Sequence, residues 1–532
     1  MGTSALSIRK LSTSVIDKRA GRYLSFPDVV RLPSGALLVA YRDADKHFPP
    51  DPPQTEMLLA VSHDDGKTWD PLGPFPHNPR EREEWAWHCP RLSLLSDGRV
   101  ALVCDLAAPR KGIATLYVSV SDDGGHTWSP PVHTGVDGIV PDRIIELDPN
   151  EWIFTAHYSS PRGGPTFYQF VVATNDGGRS WANRSTISDD PDLLLCEGSM
   201  VLDDEKQLIC YLRENSFIHH PTFVSFSADR GFTWSTPVSH PTHAHRPCAG
   251  FLDAQNLLIT YRNVAGNPGL FAWIGQTDEL FRTAGGVSLR QPEPSLGPDG
   301  LIFIGDPKAG RCAQYLVPPL SGFENDFRVE AVLRTTSESD YGCGIQVGGV
   351  LRIKRHEVAL EHRLHLTQRV QLVELAKVEL DASYMRKYEI DYRKPNLIVR
   401  VDERPIISVT VTLEPDKTDR RIGFGNIRFH APWDIRYEGH EGESVWQSFR
   451  VEESGRETYS WRADSGMFPN QYQRDRCVEI EPELSGLWPE SGYSGWVKLD
   501  ERRIFCVDYK RDFESMPFVV GHLLELSESI DR

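Results

Sequence analysis

The chain has 532 residues, enough for more than one domain core. Hydrophobic residues make up 39% and charged residues 25%, a globular balance, and no apolar run reaches the ~18 residues of a membrane-spanning helix. A net charge of −17 argues against nucleic acid as a partner, and neither nucleic acid nor membrane is expected. Nine cysteines without CxxC pairing read as free thiols, with no metal site and no cofactor. Met1–Lys10 has no apolar run of the secretion-signal type, so a cytoplasmic protein is expected, with secretion as the alternative if a leader has been trimmed.

In chain order the first pattern is a strand, Leu6–Ile16, followed by an internal repeat. A short turn reads Ser62-His-Asp-Asp-Gly-Lys-Thr-Trp69 and returns as Ser121–Trp128, Thr174–Trp181 and Ser227–Trp234. In each copy the Asp (Asp64, Asp123, Asp176, Asp229) can cap its own turn, and the Gly (Gly66, Gly125, Gly178, Gly231) permits positive φ. Between the copies lie pairs of apolar strands joined by turns that open on Leu32, Leu95, Leu147, Leu202, Leu252 and, far downstream, Leu499. Ten residues past each Leu stand Arg42, Asp105, His157, Leu212, Arg262 and Tyr509. Six copies of a four-stranded unit predict an all-β chain, a six-bladed β-propeller.

The sixth copy is displaced by another strand-rich stretch. The reading is blades one to five over residues 1–290, a linker over 291–320, an inserted lectin-like β-sandwich of jelly-roll type over 321–453, and an entrance loop with the last blade over 454–532. The N-terminal strand is expected to complete the last blade. Function in such a ring belongs where the inner strands converge on the axis. Two residues before a recurring proline stand Ser25, His88, Ile139 and His245; in the fourth blade Glu197 takes the proline's place, and in the sixth Gly492-Tyr493-Ser494 does.

The Ser-x-Asp-x-Gly-x-Thr-Trp turn resembles the Asp-box of the sialidase superfamily. The resemblance covers the propeller and implies its fold; the boxes themselves sit on outer strands in that family and carry no catalytic role. It also implies a tyrosine nucleophile polarised by a glutamate, an aspartate acid, and three arginines around a substrate carboxylate. Glu197 and Arg213, sixteen residues on, are similar to the family's glutamate and the arginine that follows it, and Tyr493 to its tyrosine. A phenol of pKa ~10 needs such a carboxylate to take its proton. The sequence departs from the pattern at two arginines, where Leu24-Ser25-Phe26-Pro27 and Pro268-Gly269-Leu270 stand. The aspartate falls among Asp43, Asp45, Asp51 and Glu56, with Asp45 and Asp51 foremost.

Further candidates are His88 for acid–base chemistry, and Arg42, Arg91, Arg143, His245 and Arg246 for an acidic sugar. Trp85 and Trp87 read either as a sugar-stacking platform or as blade filler. Arg474 and Arg476 could replace the lost arginines. The function expected is an exo-acting glycoside hydrolase with altered specificity, acting on an oligosaccharide and releasing a terminal acidic sugar with retention through Tyr493. The alternatives are a uronate-specific lyase using His, Tyr and Arg, and a non-catalytic glycan-binding protein.

Overall fold

The computed structural model describes residues 6–47, 55–77, 86–108, 113–159, 167–189, 193–215, 221–264, 268–279, 294–305, 313–318, 320–321, 324–340, 342–366, 369–411, 422–427, 441–483, 490–512 and 516–528. Six antiparallel sheets follow one another as blades. Blade one is Tyr23–Arg31, Leu37–Ala44, Glu56–Ser62 and Asp70–Pro74. Blade two has a broken inner strand, Ala86–Trp87 and Arg91–Leu94, then Val100–Ala108, Ile113–Ser121 and Val132–Asp137. Blade three runs Ile145–Asp148 to Ala182–Ser188, and blade four Leu195–Leu202 to Val238–Ser239. Blade six is Gly495–Lys498, Arg503–Lys510 and Phe518–Glu528, with Leu6–Asp17 paired outside them. The first strand of the chain therefore closes the ring.

Alternation explains why the blades stack. The second strand of blade one is buried along its whole length. Leu37, Val39 and Tyr41 pack against Phe505, Val507 and Tyr509 of blade six, while Leu38 and Ala40 pack against Leu92, Leu102 and Cys104 of blade two. A period of two thus serves two neighbours at once. Every other pair of neighbouring blades has its own apolar cluster.

The Asp-boxes are self-contained hydrogen-bond devices. In the first, Asp64 accepts from the Thr68 N–H at 2.9 Å and the Thr68 hydroxyl at 2.7 Å, and the Gly66 N–H reaches Ser62 Oγ at 2.9 Å. Gly66 has φ +81°, and a Cβ there would lie 2.1 Å from the Phe505 ring. Asp123, Asp176 and Asp229 repeat the two carboxylate bonds.

The insertion differs from its expected boundaries. Blade five is Ala244–Phe251, Leu257–Asn263 and Gly269–Gly275, completed by Cys477–Pro482 from beyond the insertion. The insertion therefore interrupts blade five before its outer strand. The stretch expected as a linker contains strands Ser295–Gly297, Gly300–Gly305 and Gln314–Val317, all paired within the insertion. Arg456–Arg462, expected in the entrance loop, pairs with Gly442–Glu453 of the same insertion. Two sheets enclose one aromatic core, in which Phe424 stacks on Phe449 at 4.3 Å between ring centroids. The apolar runs marked the strands, but which edge each one joins is a long-range pairing.

At the junction of blades one and two, the wholly buried Asp28 accepts from the Leu92 N–H at 2.8 Å, from Arg91 at 3.2 Å and from Arg143 at 2.6 and 3.1 Å. Arg91 and Arg143 also donate to the carbonyls of Ser494 and Trp496 in the last blade's inner segment. Asp28→Ala would leave Arg143 without its paired carboxylate and Arg91 with only the more distant Asp142, at 3.9 Å, and is expected to cost about 3–5 kcal/mol, read by urea unfolding. A second expectation concerns acid. Hydrogen bonds from Thr68 and Thr233 lower Asp64 and Asp229 to about 2, and at Asp123 burial, the largest single effect, is outweighed by the bonds from Thr127 and Ser121 together, which bring it to about 2. Because the folded values lie below the unfolded ones, this stabilisation is complete above about pH 4 and is lost as pH falls toward 2. The thermal midpoint should drop across that interval, and less steeply when the three carboxylates are changed to amides.

Candidate active site

The inner strands share a local distortion. Their register slips between Ser25 and Asp28, Cys196 and Ser199, and His245 and Cys248. At the slip Phe26, Glu197 and Arg246 have φ of 56°, 46° and 50°, and Val140 of blade three has 51°. Left-handed backbone at side-chain-bearing residues is uncommon and costs about 1–3 kcal/mol each, so four such positions at equivalent places mark a held site. The pairing corrects the alignment of the fourth blade. Ser25 pairs with Arg42, Cys196 with Arg213 and His245 with Arg262. Cys196 is thus the counterpart of Ser25 and His245, and Glu197 that of Phe26 and Arg246. The fourth-blade turn is set one residue later, with the Asp203 N–H bonded to the Gln207 carbonyl where other blades use Leu. Ten residues past Asp203 is Arg213, not Leu212.

Glu197, Arg213 and Tyr493 meet as the resemblance implies. The Tyr493 hydroxyl donates to both Glu197 oxygens, at 2.9 and 3.0 Å, and accepts from Arg213 at 2.7 Å. The same Arg213 nitrogen lies 2.7 Å from Glu197. Burial would raise the Glu197 carboxyl, but Arg213, with His157 and Arg246 beyond it, brings it down to about 2. Burial pushes the Tyr493 phenol up, with Arg213 and Arg262 pulling against it. The resting pair is therefore a neutral phenol held against a carboxylate.

Two cations stand where the sequence pattern lacked them. The Arg262 guanidinium lies 3.9 Å from the Tyr493 ring centroid and donates to the Ser491 carbonyl and the Tyr509 hydroxyl at 2.6 and 2.7 Å. Arg42 donates to Ser25 Oγ at 3.2 Å and lies over the Phe26 ring at 4.5 Å. Ser25 occupies a position where the family pattern has arginine, and Arg42 comes to it from the paired strand. Arg262 was legible only as one of the residues ten past each Leu; so were Asp105, His157 and Tyr509.

His88 is bonded through Nδ1 to the buried Asp105 at 3.0 Å, and Cys89 donates its N–H to the same carboxylate at 3.1 Å. Burial opposes charge on His88, but the Cys89 sulfur and Asp105 outweigh it and raise the imidazole to about 10. Burial lowers His157 to about 4 and His47 to about 3, leaving both neutral. Phe26 joins these groups, with ring centroids 5.0 Å from His88, 5.5 Å from Tyr493 and 5.6 Å from His47. Ligand atoms of His88, Cys89 and Asp105 lie within 4.8 Å of one another, so they could hold a metal ion. The electrostatics disfavour one, because Arg246 and Arg42 act on the same carboxylate.

Other expected residues are placed elsewhere. Arg91 and Arg143 belong to Asp28, Arg91 turned toward the blade junction by strand alternation and Arg143 from the segment just ahead of its strand. Trp87 is buried against Phe75 and Tyr117, which makes it blade filler. Asp45 is paired with Arg22, and Asp51 and Trp85 lie outside the described residues. Arg246 donates to the Pro141 carbonyl at 3.0 Å, beside Glu197 and Asp105, while His245 is buried on the strand pairing with Arg262. Arg474 and Arg476 bond to Asn470 and Glu279, so they do not replace the arginines.

The family described as BNR repeat-like domain matches residues 89–258, which span blades two to four and reach into five. A protein of unknown function from Dyadobacter fermentans is 12% identical, with 98% of this chain and 99% of that chain covered and a TM-score of 0.53. That likeness shows the fold, insertion included. A Trypanosoma rangeli sialidase matches at 12% identity over 88% of this chain and 98% of that one, with a TM-score of 0.36. A Penicillium chrysogenum α-L-arabinanase matches at 16% over 51% and 83%, with a TM-score of 0.38. At those scores neither likeness carries an argument about this site. No curated protein matches the chain.

Gly492 positions the tyrosine. Its φ is +83°, its N–H bonds to Asp508 at 2.7 Å, and a Cβ would lie 2.7 Å from Arg262 Cα. Gly492→Ala is expected to lose about 1–2 kcal/mol from left-handed backbone alone, read by urea unfolding, and more as Arg262 is displaced.

Proposed function

We propose that the protein is a retaining glycoside hydrolase that releases a terminal acidic sugar from an oligosaccharide, with Tyr493 as nucleophile and Glu197 as its base. The observation that carries this reading is the buried hydroxyl of Tyr493 held by both oxygens of Glu197 and by Arg213. With Tyr493 raised and Glu197 lowered, the proton does not move in the resting protein. It moves as the phenolic oxygen attacks the anomeric carbon, so tyrosinate is never formed ahead of the bond. Arg213 then faces both the new ether oxygen and the substrate.

The anionic character of the sugar follows from charge. Arg42, Arg213, Arg246, Arg262 and protonated His88 outnumber the acidic groups that face them, Glu197, Asp105 and the Cys89 sulfur, with Glu490 acting on Arg262 from beyond and itself paired with Arg511. Burial holds Asp508 at about 8, so it adds no negative charge at neutral pH. A cationic axis in a chain of net charge −17 focuses an anionic ligand on this one place. A phenol nucleophile also avoids the repulsion that a carboxylate would meet. A charged His88 cannot be the base of an elimination, which weighs against the lyase.

Tyr493→Phe should abolish turnover while lowering the unfolding free energy by only about 1–3 kcal/mol, because Glu197 and Arg213 keep each other as partners. The test is mass spectrometry of products from pooled sialylated and uronate-containing oligosaccharides. A terminal sugar released with gain of water by the wild type alone supports the proposal. Unsaturated product absorbing in the near ultraviolet would replace it with a lyase, and bound but unchanged glycan with a binding protein.

A further inference from the structure

A retaining reaction needs a proton for the departing oxygen, and the described carboxylates of the loop where an aspartate was expected are engaged with one another or with arginine, Glu56 standing opposite Asp43 on the paired strand. Asp43 is held by Arg22 at 2.5 Å and by Arg19 at 3.2 Å, and Asp45 by Arg22. His88 differs from both. It sits beside Phe26, the ring that also contacts Tyr493. Its side chain is 26% exposed while Asp105 is wholly buried. Nδ1 is taken by Asp105, so Nε2 is the nitrogen left to meet a ligand.

We propose that His88 is the proton donor to the leaving sugar oxygen, with Asp105 as the positioning residue that fixes its ring and tautomer. The assignment rests on the retaining reading above. In the first step the Tyr493 oxygen bonds to the anomeric carbon and its proton passes to Glu197. The glycosidic C–O bond breaks, and its oxygen takes the Nε2 proton of His88. In the second step neutral His88 takes a proton from water, whose oxygen attacks the anomeric carbon. Tyr493 departs and recovers its proton from Glu197, so every group returns to its starting state.

Asp105 stabilises the imidazolium from the paired strand and Cys89 from the adjoining residue. Arg42 and His47 of blade one, Cys104 of the paired strand, His157 of blade three and Arg246 of blade five are the other charged or titratable groups around the pair. The folded His88 value lies above the unfolded one, so its charge and the stability it brings are complete below about pH 6.5 and are lost as pH rises through about 10. A neutral aspartic acid donor would lose its proton several units lower. The alkaline limb of the rate profile therefore separates the two chemistries.

The test compares His88→Gln, Asp105→Asn and Tyr493→Phe on 4-nitrophenyl and methyl glycosides of N-acetylneuraminic and glucuronic acids, both anomers. A 4-nitrophenolate leaves without protonation and a methoxide does not. His88→Gln should lose ~10²–10⁴-fold on methyl glycosides but under ~10-fold on nitrophenyl glycosides. It should also lose the alkaline limb, which Asp105→Asn should shift to lower pH. Equal losses on the two leaving groups, or none, would overturn the assignment. If Tyr493→Phe keeps its rate, the tyrosine mechanism fails while the leaving-group contrast at His88 still stands or falls by itself. Should no probe react, nitrogen-15 NMR of histidine-labelled protein decides. An imidazolium at pH 8, missing from His88→Gln and lost on Asp105→Asn, supports the donor; a neutral His88 at pH 7 refutes it.

Discussion

The inner strand of every blade has a free edge facing the axis, and an edge that is neither paired nor wet is costly. At four of the six junctions the structure meets that constraint with one side chain each. Asp28 accepts the Leu92 N–H, Ser93 the Ile144 N–H at 2.7 Å, Asp142 the Met200 N–H at 2.8 Å and Ser199 the Ala249 N–H at 3.0 Å. Asp28 does most, because its second charge-bearing role gathers Arg91 and Arg143 and, through them, the backbone beside Tyr493. A Cβ on Gly495 would lie 1.9 Å from Asp28 Oδ1, so the last blade is seated against this carboxylate. The position of Tyr493 is thus set by groups on blades one, two and three.

This stitching also allows the strain above it. Phe26, Val140, Glu197 and Arg246 are left-handed just before the residues that are stitched. The bulge each one creates aims a side chain at the axis that an unbroken strand would turn sideways. The charges gathered there are unequal, and the imbalance is tolerated because most guanidinium groups are held by neutral acceptors. Arg262 uses a carbonyl and a phenol, Arg42 a hydroxyl and the His47 carbonyl, and Arg246 a carbonyl. Such bonds orient a cation without neutralising it. An anionic ligand would meet charge already in place.

Much of the fold was legible because it rests on local chemistry. The Asp-box turns form from eight consecutive residues, and their hydrogen bonds are the ones their spacing implies. The strand runs, the six-fold repeat and the closing role of Leu6–Asp17 follow from alternation. Tyr493, Glu197 and Arg213 were legible from family resemblance, and the structure brings them together. The misplaced residues share a cause. Arg91 and Trp87 have the right type near the right turn, yet alternation and a broken strand send them to blade junctions. The blade-four alignment slipped by one because its turn opens on Asp203 rather than Leu202.

The sequence by itself determined that this chain is a ring of six repeats with an inserted sandwich, since strand period and turn chemistry act over a few residues. It also determined which residue types could do chemistry. Only the tertiary structure decided which arginines stand near the axis. Arg262 and Arg42 reach the axis through pairing with His245 and Ser25, and Arg143 is drawn away by an aspartate 115 residues distant. It likewise decided that the insertion divides blade five, and that His88 is hydrogen-bonded to the buried Asp105. Charge and pairing depend on neighbours brought together by closure of the ring, and no local window of sequence contains them.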